Sequence, residues 1–150
     1  MGIEVRPARA EDEESIHALV RSERLNPSGL DWRRFQVACE DGVVVGAVQV
    51  RPRGPELASL AVRPDRRRRG LGGRLIEAAL GGRRGPVYLI APATLTPLYE
   101  RHGFARLSVA RAPGTVALDW VLGQAGGGLI SLILRRRPRR IVVMARRGAY

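Results

Sequence analysis

The chain has 150 residues, 45% hydrophobic and 27% charged, which excludes a disordered chain and a protein of several membrane spans. One cored domain over residues 1–150 is the expectation. Its 26 basic residues against 14 acidic ones give a formal net charge of +12, which suggests a polyanionic partner. All 26 are arginine and Asn26 is the only asparagine, a bias also expected of a GC-rich genome, so charge alone does not prove a nucleic-acid ligand.

Ile3 to Pro7 alternates as a strand does, and Glu11 to Arg24 places Ile16, Leu19 and Val20 on one helical face, with acids in the first turn. Glu11, Asp12, Glu13 and Glu14 precede any long apolar run, which argues against a secretory signal and for a cytoplasmic location. Asn26-Pro-Ser-Gly29 punctuates the chain before Phe35 to Glu40, and Asp41-Gly42 marks a tight hairpin into Val43 to Arg51. Cys39, the only cysteine, excludes an intrachain disulfide and reads as a buried thiol.

Pro52 to Pro55 breaks the ladder before a strand at Leu57 to Val62, a helix at Leu71 to Leu80 capped by Gly81, and a buried strand at Val87 to Ala91. Thr96-Pro97 opens a short helix that ends at Gly103. Phe104 to Val109 and Ile141 to Ala145 are further strands. The order predicts an α/β fold with a mixed sheet. Residues 112–139 form an insertion without a recognised motif. Val116 to Leu134 approaches the length of a membrane span, but three consecutive glycines and Asp119 favour an amphipathic or dimer-forming helix, and a homodimer is one expectation.

The informative stretch runs from Leu57 to Ile76: a strand, Pro64, an Arg66–Arg69 run, Gly70, Gly72 and Gly73, then an amphipathic helix. Glycines let a loop backbone approach a ligand, the helix start favours an anion, and arginines add bidentate charge. The dinucleotide fingerprint fails, because G-x-G-x-x-G and its later acid are absent, and a Walker loop fails for want of lysine. Val62, Pro64, Arg67, Gly70 and Gly72 instead match V-x-P-x-x-[RQ]-x-x-G-x-[GA], and the loop closely resembles motif A of the GNAT superfamily of acyl-CoA-dependent N-acetyltransferases. Leu98-Tyr-Glu-Arg-His-Gly-Phe104 resembles the family's L-Y-x-x-x-G-F block.

The resemblance implies a GNAT fold, with the parallel fourth and fifth strands splayed around acetyl-CoA as cosubstrate and no metal. Backbone near Leu60, Ala61 and Val62 would hold the pantetheine and thioester, and Arg67, Arg68, Arg69, Gly70, Leu71, Gly72, Gly73 and Arg74 the diphosphate. An amine would attack the thioester directly in a ternary complex, with Tyr99 serving the leaving thiolate and Glu56 the base. Many relatives carry an asparagine where this chain has Pro92; either Thr94 or Thr96 substitutes for its contact with the pantetheine arm or that contact is missing.

Trp32, Arg33 and Arg34 stand where the family lines its acceptor pocket, and resemblance to small bacterial members points to a small-molecule or amino-acid acceptor. The competing readings are a small basic nucleic-acid binder and a catalytically weak acyl-CoA-binding protein. Seven aromatic residues and no recognition motif argue against the first. His17 and His102, isolated from clustered acids, read as structural rather than as metal ligands.

Overall fold

The structure, a computed structural model, describes residues 2–52, 54–118, 120–121 and 140–147. They form two compact units, Met1–Arg51 with Leu57–Arg83, and Pro52–Glu56 with Arg84–Tyr150.

In the first unit, strands β1 (Glu4–Pro7), β2 (Phe35–Glu40), β3 (Val43–Arg51) and β4 (Glu56–Val62) lie side by side in that order. Helix α1 (Glu13–Ser22) follows β1, after a short 3-10 turn at Ala10–Asp12, and α2 (Leu71–Leu80) follows β4. The side-chain alternation of a strand explains how both helices find a partner surface. Ile16, Leu19 and Val20 of α1 join Phe35, Val37, Cys39, Ala47 and Ala61 in one buried cluster. On the other face, a Cβ added to Gly46 would come within 3.0 Å of Leu75 on α2 and 3.4 Å of Ala38, so glycine permits that close helix approach. Asp41 and Gly42 have φ of 51° and 79°, the left-handed pair that a two-residue hairpin needs.

Below α1, Arg6 donates to both carboxylate oxygens of buried Asp12, at 2.7 and 3.2 Å, and the Arg9 backbone N–H adds a third bond at 2.8 Å. These bonds hold the Asp12 carboxyl below its ordinary range, the Arg6 hydrogen bond being the largest cause. Cys39 is buried, as expected, and burial pushes its thiol up.

The second unit orders its strands β5 (Val87–Pro92), β7 (Ile141–Arg146) and β6 (Ala105–Leu107), all pairs antiparallel. Helix α3 (Thr96–Glu100) follows β5. The Tyr88 N–H donates to the Pro55 carbonyl at 2.8 Å, tying the start of β5 to the residue before β4. Gly54, at φ 57°, sits so close to Thr115 and Pro113 that an added Cβ would lie 2.8 Å from the Thr115 hydroxyl.

The α/β expectation holds, with local corrections. The strand expected over Phe104 to Val109 is only Ala105–Leu107, because Phe104 turns into the core and Val109–Arg111 coils into a 3-10 turn. Gly81 caps α2 as expected, its N–H donating to the Glu77 carbonyl at 2.9 Å, and Gly82 follows at φ 72°. Residues 114–118 are helical. The rest of the expected insertion helix, with its dimer-forming role, lies largely outside the described residues.

Candidate functional site

β4 ends at Val62, and the Arg63 N–H donates to the Val45 carbonyl at 2.8 Å, which anchors the strand end to β3. Pro64–Arg66 then makes a 3-10 turn. Arg68 and Gly70 both take left-handed backbone, with φ of 64° and 73°, and α2 starts at the next residue. Alternation of left- and right-handed residues turns successive N–H groups to one side, and the first N–H groups of a helix have no intrahelical acceptor. A Cβ at Gly70 or Gly72 would meet nothing within 4 Å, so the space over the loop is open. Left-handed backbone at Arg68 and Gly70 and free space beside Gly70 and Gly72 are the local features of this loop.

The arginines of this stretch divide by their partners. Arg66 pairs with Glu40 and Asp65, and Arg67 pairs with Glu23 while its Nε donates to the Val62 carbonyl at 3.2 Å. The Arg66 hydrogen bond holds the Glu40 carboxyl below its ordinary value. Arg74 donates to the Ile3 carbonyl at 3.0 Å, at the start of the chain's first strand. Arg68 and Arg69 are exposed and make no ion pair among the described residues. Leu60 and Val62 are half-buried, whereas Ala61 and Leu71 are buried.

In the second unit, Tyr99 is 6% exposed on α3, and its ring meets Phe104 edge-on at 6.0 Å between centroids. The Phe104 N–H closes the turn on the Tyr99 carbonyl at 3.2 Å, with Gly103 at φ 85° making the bend possible. Burial pushes the Tyr99 phenol up to about 12. One turn earlier, Thr96 is also 6% exposed, and its hydroxyl is buried with no hydrogen-bond partner among the described residues. Glu56, first residue of β4, is only 7% exposed, far from the solvated flank that a charge beside Pro55 could have been.

The expected acceptor-side residues lie in a 3-10 turn, Trp32–Arg34, opened by Asp31. Asp31 accepts from the Arg33 N–H at 3.1 Å and pairs with both arginines, at 3.4 Å for Arg33 and 3.8 Å for Arg34. Arg33 also stacks 4.8 Å over the Trp32 ring, and Trp32 packs against the α1 core. Both charges are thus already engaged locally. The acids Glu23 and Glu40 were not legible as partners of Arg67 and Arg66, because sequence spacing carries no sign of which loop returns beside which.

A profile of the acetyltransferase (GNAT) domain family matches residues 31–106, just over half of the chain. The chain belongs to the GNAT family of N-acetyltransferases. The matched span includes β4, the Arg68–Gly70 turn, α2 and Tyr99. Solved structures share the GNAT fold. N-acetylglutamate synthase from Neisseria gonorrhoeae, complexed with coenzyme A and N-acetyl-glutamate, is 20% identical with a TM-score of 0.73, covering 100% of this chain and 36% of its own. The chain thus spans about a third of that synthase. Rv2747 from Mycobacterium tuberculosis, in complex with CoA and NLQ, is 21% identical with a TM-score of 0.71, covering 97% of this chain and 99% of its own. Escherichia coli ElaA is 15% identical with a TM-score of 0.65 over 97% of this chain. No curated protein sequence matches this GNAT chain.

Among the described residues no helix is long and apolar enough to cross a membrane, and no group of three or more His, Cys, Asp or Glu stands ready for a metal.

Proposed function

We propose that residues 1–150 act as one acetyl-CoA-dependent N-acetyltransferase domain, transferring acetyl to the primary amine of a small molecule or amino acid by direct attack. The observation that carries this reading is the loop Arg67–Gly73, with left-handed backbone at Arg68 and Gly70, open space at Gly70 and Gly72, and two exposed arginines. Its amides and the Arg68 and Arg69 guanidinium groups would hold a diphosphate. Acetyl-CoA, when bound, supplies the activated acyl group. The β4 backbone around Leu60 to Val62 would accept the pantetheine and thioester, and Arg67 and Arg74 would brace the loop from its edges.

Tyr99 supplies a hydrogen-bond donor. With its phenol pushed to about 12 and a thiol near 8.5, full proton transfer to the thiolate is uphill by about 5 kcal/mol. A phenol that stays protonated stabilises the developing sulfur anion by hydrogen bonding instead. Glu56 is the base in this reading: a lysine-type amine, with a pKa of about 10.4, is nearly all protonated at pH 7, and an α-amine near 8 only partly so. The N-acetyl-glutamate in the gonococcal synthase structure favours an amino-acid acceptor.

The test is a free-thiol release assay with acetyl-CoA across a panel of amines and amino acids, run beside Tyr99→Phe. The expected result is turnover on at least one α-amine, reduced on the order of a hundredfold in the variant with CoA affinity retained. Silence of the wild type on every amine, despite CoA binding, would overturn the catalytic assignment.

A further inference from the structure

β4 contains a conformational anomaly away from its ends. Ser59, fourth of its seven residues, has φ of 57°, the left-handed region that a strand residue with a side chain ordinarily avoids. Such a residue interrupts the ladder and leaves backbone groups unpaired at a local kink. Something must hold it there, because serine has no intrinsic preference for this region.

The holding group is on β3. Gln49 is completely buried, and its Nε2 donates to the Ser59 hydroxyl at 3.0 Å. Its other amide atom, Oε1, is buried with no partner among the described residues. An amide half satisfied in an apolar layer is a poor choice for stability, since leucine would fill similar volume without a desolvated oxygen. Gln49 is paired with Phe35 across the β2–β3 register, in surroundings that would accept such a side chain.

We propose that Gln49 is a positioning residue, whose carboxamide clamps Ser59 in its left-handed conformation and so presents the β4 backbone beside Leu60 to the acetyl end of acetyl-CoA. The inference rests on the acetyl-CoA reading above. It separates two parts of the ligand: the diphosphate is held by the loop after β4, and the acetyl end by a kink that Gln49 maintains. Loss of the clamp therefore affects acetyl-CoA more than CoA.

The test is calorimetric titration of the full chain with CoA and with acetyl-CoA, for wild type, Gln49→Leu, and Gln49→Leu combined with Ser59→Gly. Gln49→Leu should melt no lower than wild type, weaken acetyl-CoA about tenfold, the equivalent of one hydrogen bond, and leave CoA within about twofold. Glycine adopts the left-handed region without help, so Ser59→Gly in that background should restore acetyl-CoA affinity. Should Gln49→Leu fail to fold, Ser59→Ala removes the same hydrogen bond from a half-buried position and must give the same pattern. Equal weakening of both ligands, unchanged acetyl-CoA affinity, or failure of glycine to rescue overturns the clamp while leaving the acetyl-CoA reading intact. A wild type that binds neither ligand overturns both.

Discussion

At the scale of single residues, burial decides which side chains can act. Tyr99 owes its character to the cover of α3 and Phe104, which removes water from the phenol and keeps it a donor throughout the neutral range. Asp12 shows the opposite use of burial: three hydrogen bonds from Arg6 and Arg9 keep it ionised. Because its pKa is lowered in the folded state, the stabilisation is complete above the ordinary carboxylate range near 4 and is lost as pH falls through the folded value. Asp12→Asn should cost about 2 kcal/mol at pH 7, and urea melts should show the gap to wild type closing as pH falls below the ordinary carboxylate range. A gap independent of pH would mean that packing rather than charge carries the effect. Neither environment is written in the local sequence, since Arg6 and Asp12 are separated by a strand end.

At the scale of elements, periodicity and turn chemistry are enough wherever a segment is governed by its own residues. The bounds of β2, β3 and α2 follow from alternation, from Asp41-Gly42 and from the glycine-marked helix start. β6 is shorter than its pattern implies because neighbouring residues compete: Phe104 is claimed by the core and Val109–Arg111 by a 3-10 turn. The loop before α2 allows a direct test. Gly70→Ala adds one methyl in open space at φ 73°, so it should cost only about 1 kcal/mol in stability. The methyl would nevertheless intrude where a diphosphate approaches, and CoA affinity should fall about tenfold by calorimetry. Unchanged affinity would show that the loop amides do not approach the ligand closely.

At the scale of the whole molecule, the net charge of +12 is a poor guide to function until the arginines are sorted by partner. Arg66 and Arg67 answer Glu40 and Glu23, Arg33 and Arg34 answer Asp31, and Arg6 answers Asp12. Arg68 and Arg69 are left exposed beside Gly70, where the proposed diphosphate would lie. Exposed charges are screened as the Debye length shrinks from about 8 Å at physiological salt to about 3 Å at 1 M. CoA affinity should therefore weaken about tenfold between 0.05 and 0.5 M NaCl. A flat salt profile by calorimetry would assign the diphosphate to the backbone amides alone.

The sequence by itself determined the α/β class, the family and the place of the arginine- and glycine-rich loop before α2, because these depend on short-range patterns: period two, period 3.6, and glycines at fixed offsets from Pro64. Only the tertiary structure decided which arginines are engaged, how far Tyr99 and Glu56 are buried, and that Gln49 reaches Ser59. Those facts depend on residues far apart in the chain meeting across strands and loops. A hydrogen bond between side chains ten positions apart, on neighbouring strands, is set by register and by a backbone torsion. Neither leaves a mark in the order of the residues.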